Sequence, residues 1–219
     1  PVTHTKNTAI GQASVKITGK GLYKGTKTVN FNIRPATVTK LKVSSTGEKS
    51  VKLSWKKVTG ADSYAIYRYD NTSKKWQRIK TVKAVSFTDS GLARAKGYSY
   101  KVKAVKKSGG KEYISASYSK AVEAVTKPAK ASCTAKSAGS GSIEVSWKAV
   151  GGASGYEIYS SSNGSDYVKS AKVGGSQKSA IVSGFEPYSL RMVKVRAYKT
   201  VNGKTSYGAF SQAVMVIVR

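Results

Sequence analysis

The sequence predicts an all-β protein in which two tandem seven-stranded β-sandwiches follow a short N-terminal β segment. Three observations support this fold class. Apolar and polar residues alternate with a period of two over many short stretches. Turn-forming clusters of Gly, Asn, Asp and Ser separate these stretches at regular intervals. Finally, the 18-residue stretch that begins at residue 51 returns in closely similar form at residue 143, a distance typical of a small domain.

Residues 1–36 form the N-terminal β segment. The stretch AIGQASVKITGKGLYKGTKTVNFNI is similar to the closing strands of bacterial immunoglobulin-like repeats found in exported Gram-positive surface proteins. This resemblance implies that the segment is the C-terminal part of such a domain. Because the first residues, PVTHTKNT, carry neither an initiator Met nor a signal peptide, we expect the chain to be an excerpt of a longer protein.

Residues 37–126 form the first predicted sandwich. In SVKLSW, Val51, Leu53 and Trp55 alternate with Lys52 and Ser54, which indicates a strand with one buried and one solvated face. The stretch YSYKVKAV shows the same alternation further along the chain. Turn sequences such as KVTGADS and KKSGGKE separate the strands, and we find no helical period longer than about two turns.

Residues 127–219 form the second predicted sandwich. The stretch KVKAVKKSGGKEYISASYSKAV aligns with KVRAYKTVNGKTSYGAFSQAV, which places a strand, a hairpin and an edge strand at the end of both copies. The connecting sequences NIRPAT and VTKPAK each contain a Pro, which is typical of a short and fairly stiff linker. Each copy therefore holds about seven strands in about 90 residues.

Both copies resemble fibronectin type III domains. The resemblance rests on a Trp at the end of the second strand, on a Tyr near the start of the third (SYAIYR, GYEIYS) and on GLARAKGY followed by YKVKAV. It implies that Trp55, Tyr64, Trp147 and Tyr156 are core residues. It also implies a tyrosine corner at Tyr98, whose hydroxyl would bond the backbone upstream.

The second copy departs from the tyrosine-corner pattern. Phe185 stands where the first copy has Leu92, and Arg191 stands where the first copy has Tyr98. Two alternatives follow from this difference. Either Tyr188 replaces the corner from a shifted position, or the second copy has no corner.

The chain is strongly basic, with a net charge of +29, and 32 of its 39 basic residues are Lys. Lys is a hydrated point charge, whereas Arg is the residue that binds phosphate in bidentate fashion. The composition therefore favours solubility and diffuse attraction to polyanions over a specific nucleic-acid site. No apolar run reaches the roughly 18 residues that a membrane span requires.

The sequence offers few residues for catalysis. His4 is the only histidine and Cys133 the only cysteine, and no two of the ten acidic residues are closer than eight positions. The Gly–Lys stretches GKGLYKG and SGGKE precede predicted strands, whereas a phosphate-binding loop precedes a helix. We therefore expect no catalytic residues, no metal site, no cofactor and no enzyme activity.

Two groups of residues are candidates for ligand or polyanion contact. Lys101 and Lys103 lie on the solvated face of a predicted strand. A second group, around Trp76, places an aromatic side chain that could stack on a sugar ring or a base among basic neighbours: Lys74, Lys75 and Arg78. The alternative is that Trp76 packs at the edge of the sheet and that the basic side chains are solvated and protect this edge.

Two functions follow from these observations. The first, implied by the family resemblance, is a monomeric, non-catalytic spacer or adhesive module of a bacterial cell-surface or secreted protein, whose Lys-rich surface contacts anionic cell-wall polymers. The alternative is a carbohydrate- or host-ligand-binding accessory module of a larger secreted polysaccharide-degrading enzyme. That module would use Trp76 together with exposed tyrosines such as Tyr69, Tyr113 and Tyr118. Specific nucleic-acid binding is the least supported.

Overall fold

The computed structural model describes residues 2–5 and 8–219, and it describes side chains from residue 8 onwards. These residues form nineteen strands and no helix, so the predicted all-β class is confirmed. No described segment is a helix that could cross a bilayer.

The N-terminal β segment is a three-stranded antiparallel sheet in the order β1-β2-β3. Its strands are β1 (Val2–Thr5), β2 (Gly11–Thr18) and β3 (Thr26–Ile33). In the register of β2 with β3, Ala13 lies opposite Phe31 and Val15 opposite Val29. One face of the segment is therefore apolar, and Val29 and Phe31 on that face are exposed.

The first sandwich is built from a three-stranded and a five-stranded sheet. The three-stranded sheet has the order β4-β5-β8, and its strands are β4 (Lys42–Thr46), β5 (Ser50–Ser54) and β8 (Ser86–Ser90). The larger sheet has the order β10-β9-β6-β7, and β11 also pairs with β9. Its strands are β6 (Ser63–Asp70), β7 (Lys75–Val82), β9 (Gly97–Ser108), β10 (Lys111–Ile114) and β11 (Val122–Val125).

Strands β10 and β11 are the two halves of one interrupted edge strand, so the predicted count of seven strands holds. Between them, the backbone N–H groups of Ser115 and Ser119 still donate to the carbonyls of Ala104 and Val102 on β9. In return, the hydroxyl oxygens of both serines accept hydrogen bonds from these two residues' N–H groups, at 3.3 and 3.0 Å. Side-chain hydroxyls thus replace backbone carbonyls where the strand bends.

The second sandwich repeats this architecture. Its three-stranded sheet has the order β12-β13-β16, with β12 (Cys133–Ser137), β13 (Ser142–Trp147) and β16 (Ser179–Ser183). Its larger sheet has the order β15-β14-β17-β18, with β19 also on β17. Its strands are β14 (Gly155–Ser161), β15 (Val168–Gly174), β17 (Leu190–Val201), β18 (Lys204–Tyr207) and β19 (Val214–Ile217).

The stretch that occurs twice forms equivalent core structure in both copies. Trp55 packs on Tyr64 with ring centroids 5.4 Å apart, and Trp147 packs on Tyr156 at 5.2 Å. All four residues are buried, as predicted. In both copies the Tyr hydroxyl accepts a hydrogen bond from a backbone N–H six residues earlier, at 2.9 Å and 2.7 Å. The duplication therefore preserves a core and a turn.

The tyrosine corner is present only in the first copy. The hydroxyl of Tyr98 accepts a hydrogen bond of 2.9 Å from the backbone N–H of Ala93. In the second copy, Tyr188 is 85% exposed and does not replace it. The Arg191 guanidinium lies instead 5.1 Å from the centre of the Phe185 ring. Of the two alternatives, the structure supports the absence of a corner.

The chain divides into two compact units, each made of discontinuous segments. The first contains residues up to Ser44, Lys52–Thr88 and Ser99–Glu123, and the second contains Ser45–Val51, Asp89–Tyr98 and Ala124–Arg219. The domain boundaries expected at residues 36/37 and 126/127 do not coincide with these units and stay predictions.

Candidate functional site

A group of aromatic and basic side chains lies on the outer face of the larger sheet of the first sandwich. Tyr64 and Ile66 on β6 are buried, so the alternation of the strand turns Tyr67 and Tyr69 to the opposite face. A β-bulge between Ile66 and Tyr67 then brings Trp76 opposite Tyr69. We call this group the first aromatic–cation cluster, and its members are Tyr67, Tyr69, Trp76, Lys101, Lys103 and Tyr118.

The aromatic rings of this cluster pack edge to face. Tyr69 and Trp76 have ring centroids 5.3 Å apart at 61°, and Tyr67 and Tyr118 lie 4.9 Å apart at 89°. Trp76 also approaches Tyr118 at 6.4 Å. Burial raises the pKa of the Tyr67 phenol, and the neighbouring Tyr118 adds to this shift. The rings therefore form a half-buried aromatic surface that the charged side chains contact.

Two lysines from β9 contact this aromatic surface. The Lys101 ammonium lies 4.4 Å from the centre of the Trp76 ring and 5.3 Å from that of Tyr118. The Lys103 ammonium lies 4.3 Å from the Tyr118 ring and donates a hydrogen bond of 3.0 Å to the Ala116 carbonyl. Cation–π contacts of this kind contribute about 0.5–1 kcal/mol at exposed sites. They favour these positions of the two ammonium groups and leave their positive charge in place.

The other three predicted contact residues lie outside this cluster. Lys74 is exposed in the turn between β6 and β7, with a φ of +55°. Lys75 is exposed at the start of β7. Arg78 pairs with Glu112 at 3.1 Å and donates a second hydrogen bond of 2.7 Å to Thr81. The hydrogen bond from Arg78 lowers the pKa of Glu112. Of the six residues, the structure thus brings together Trp76, Lys101 and Lys103. Of the three tyrosines predicted to be exposed, Tyr69 and Tyr118 are half-buried members of the cluster, and the prediction is wrong for Tyr113, which is buried on β10.

The second sandwich carries an equivalent group that the sequence analysis did not identify. Its Arg196 guanidinium lies 4.1 Å from the Tyr207 ring and 4.8 Å from Phe210, and its Lys194 ammonium lies 3.4 Å from Tyr167. The internal repeat could have identified this group from the sequence, because Lys194 and Arg196 align with Lys101 and Lys103. We call this group the second aromatic–cation cluster, and its members are Tyr159, Tyr167, Lys194, Arg196, Tyr207 and Phe210.

A buried carboxylate distinguishes the second cluster from the first. Glu157 accepts hydrogen bonds from Arg196 at 2.7 and 2.9 Å and from Lys169 at 3.1 Å. Burial acts to raise the pKa of Glu157, but the hydrogen bonds from Arg196 and Lys169 outweigh it, and the net shift is downward. The aligned residue in the first copy is Ala65. The first cluster therefore contains two cations and no acidic member.

Groups suited to catalysis are sparse in the described part of the chain. It contains no cluster of three His, Cys, Asp or Glu side chains that could hold a metal ion. The Cys133 thiol is half-buried and lies 3.2 Å from the Ser211 hydroxyl. The side chain of His4, around which a catalytic triad would have to form, falls outside the described residues.

Comparisons with known proteins give one partial sequence match. No family model matches the chain. Over 100 residues the chain is 43% identical to a poly(3-hydroxybutyrate) depolymerase of Ralstonia pickettii, and the match covers 46% of this chain. It covers only 18% of the length of that depolymerase. The depolymerase is therefore a relative of one part of the chain.

Solved structures of fibronectin type III segments also match. A structure of chicken CNTN1 domains FN1–FN3 is 17% identical with a TM-score of 0.43, and the match covers 95% of this chain and 77% of that one. A two-domain segment of chicken tenascin is 19% identical with a TM-score of 0.47, and the match covers 83% of this chain and 98% of that one. Both are proteins with fibronectin type III domains, to which this all-β chain is similar.

Proposed function

We propose that this chain is a non-catalytic accessory segment of a larger extracellular bacterial protein. Its sandwiches act as spacers, and the first aromatic–cation cluster contacts anionic polymers. The observation that carries the polymer contact is the position of Lys101 and Lys103, which lie on the rings of Trp76 and Tyr118 without an acidic residue in the cluster.

Two observations support an accessory role. The stretch that occurs twice supplies the same Trp–Tyr core pair and the same turn in both copies, so its duplication multiplies a scaffold. The match to a depolymerase, which covers 18% of that enzyme, supports an origin in a larger enzyme that acts on a polymer. Two further parts of the proposal are inferred from sequence resemblance. Residues 1–36 belong to the C-terminal part of an immunoglobulin-like domain, and the protein is attached to a Gram-positive cell surface.

The proposed contact is electrostatic and depends on salt. Each polyanion charge that a lysine neutralises releases a condensed counterion, which gives a slope of about −0.9 per contact in log affinity against log salt on duplex DNA. Teichoic acid is the physiological class of ligand that we propose. Heparin and DNA of similar charge density should bind with similar affinity, because a Lys ammonium does not select a geometry.

Titration of these three polyanions between about 0.05 and 0.5 M salt tests the proposal, since charges are largely screened at the upper limit. Replacing Lys101 and Lys103 by Gln should reduce the slope on duplex DNA by about 1.8. The matched control replaces two exposed lysines outside the cluster, Lys52 and Lys57, and should change the slope less. Equal changes for both pairs would show that polyanion contact is spread over the whole surface.

A second candidate function is a carbohydrate- or host-ligand-binding module of a larger secreted polymer-degrading enzyme. The observation that favours it is that Trp76 is only half-buried and lies between Tyr69 and Tyr118, which suits stacking on a sugar ring. Neutral glycans and films of poly(3-hydroxybutyrate) at about 0.5 M salt test it. A signal that resists salt and disappears in Trp76→Ala would replace the polyanion proposal with this one.

A further inference from the structure

The larger sheet of the second sandwich carries exposed apolar side chains on its outer face. Leu190 lies opposite Ile217 and Met192 opposite Met215, in consecutive outward-facing pairs of β17 and β19. Leu190 is 44% exposed, Met215 65% and Ile217 62%. Between these two pairs, Val216 on β19 faces the core, and the half-buried Arg191 lies opposite it on β17. We call Leu190, Met192, Met215 and Ile217 the apolar strip.

The fold itself does not require this strip. Strands β9 and β17 have the same length, and the residues of the first copy that align with the strip are Gly97, Ser99, Glu123 and Val125. The first sandwich therefore forms with small or polar residues at three of the four positions. Large apolar side chains that the scaffold does not need and that remain in contact with water indicate an interaction surface.

Basic side chains border the strip at both ends. Lys194 follows Met192 as the next outward-facing residue of β17. At the other end, Lys136 and Arg219 line a shallow depression of about 540 Å³ together with Ile217. Among acidic residues, Glu144 pairs with Lys136 at 3.1 Å, and Glu186 precedes Tyr188 by two positions. Asp166 lies in the turn that follows Ser161, the residue that pairs with Met192. Basic side chains therefore border the strip together with some acidic ones, and the net charge of +29 of the whole chain makes the balance positive.

Tyr188 adds an aromatic side chain at the same end of the sandwich. Its backbone N–H donates to the carbonyl of Val218, directly after β19. Its φ is +61°, a left-handed conformation that is unfavourable for a bulky residue. Ala95 occupies the aligned position in the first copy, also at positive φ. The second copy thus places a highly exposed phenol where the first has a methyl group.

We propose that the apolar strip and its basic border form a docking site for an anionic lipid surface. Leu190, Met215 and Ile217 would enter the boundary between headgroups and acyl chains, and Lys194, Lys136 and Arg219 would pair with anionic headgroups. Charge selects this occupant, because a net charge of +29 repels a second copy of the chain and attracts an anionic interface. This site shares no residue with the first aromatic–cation cluster.

Sedimentation with lipid vesicles tests the proposal. At about 0.15 M salt, the chain should bind vesicles of equal parts phosphatidylglycerol and phosphatidylcholine, and it should bind pure phosphatidylcholine at least tenfold more weakly. The variant Met192→Ser with Met215→Gln keeps the charge and should weaken binding to the mixed vesicles at least tenfold. Ile217→Thr provides a second, independent test, and retained melting temperatures show that both variants fold.

Two controls separate this site from others. Val29→Ser with Phe31→Ser removes exposed apolar residues of the N-terminal sheet and should leave vesicle binding unchanged. Undiminished vesicle binding by both strip variants would overturn the proposal. The same conclusion would follow if the chain bound neutral and anionic vesicles equally well, or if the strip mediated self-association of the chain instead of vesicle binding. Titration of soluble polyanions with the strip variants tests the proposed function separately, and there we expect no change.

Discussion

The Glu157 carboxylate accepts hydrogen bonds from the Arg196 guanidinium at 2.7 and 2.9 Å, although the Glu157 side chain is only 1% exposed. Lys169 donates to the second carboxylate oxygen at 3.1 Å. A buried charge is tolerated only with such partners. The first copy has Ala65 and Lys103 at the aligned positions, so the pair is an addition to the scaffold.

Replacing Glu157 by Gln should destabilise the second sandwich by about 2–3 kcal/mol, because Arg196 then loses its charged partner in a semi-buried environment. Chemical denaturation measures this free energy of unfolding. Glu144→Gln is the matched control, because it breaks the ion pair with the exposed Lys136 and should change stability by less than about 1 kcal/mol. Equal losses in the two variants would contradict the structural role of Glu157.

The same pair predicts acid sensitivity of the second sandwich. The pKa of Glu157 in the folded protein lies below its ordinary value of 4.5. The ion pair therefore contributes its full stability above pH 4.5, and this contribution is lost as the pH falls through the lower, folded-state pKa. The difference in the free energy of unfolding between the natural chain and Glu157→Gln should therefore shrink as the pH falls below 4.5. Denaturation at a series of pH values measures it, and a constant difference would argue against the shift.

The two core tryptophans should respond differently to conservative substitution. Replacing either Trp55 or Trp147 by Ala should cost about 3–5 kcal/mol. Replacement by Phe should cost more at Trp147, because its indole N–H donates a hydrogen bond of 3.1 Å to the Gln177 carbonyl. The indole N–H of Trp55 is buried without a partner. Thermal unfolding of the four variants measures these effects, and an unchanged melting temperature of either Ala variant would refute the core assignment.

The tyrosine corner provides a further matched pair. Tyr98→Phe should destabilise the chain by about 1 kcal/mol, because the backbone N–H of Ala93 loses its acceptor. Tyr188→Phe should have almost no effect on stability, because that side chain is exposed. Denaturation of the two variants measures the difference. A loss at Tyr188 as large as that at Tyr98 would show that Tyr188 has a structural partner.

The sequence by itself determined the fold class, the duplication and the Trp and Tyr residues at the centre of each core. Alternation along SVKLSW placed Trp55 on a buried face, and the copy at Trp147 behaves in the same way. These features are readable because the period of two is a local property of each strand. The resemblance to fibronectin type III domains, which rests in part on GLARAKGY, implied a tyrosine corner at Tyr98, and the structure shows its hydrogen bond.

Only the tertiary structure decided which of the candidate residues meet. Trp76, Lys101 and Tyr118 come from three separate segments, and they meet only after β6 has paired with both β7 and β9 and a bulge has shifted the register. Glu157 was indistinguishable from a solvated acid until β17 placed Arg196 beside it. Such contacts depend on strand pairing between residues that are distant in sequence. The alternation within one strand shows which face a side chain occupies, but it does not show which strand lies beside it.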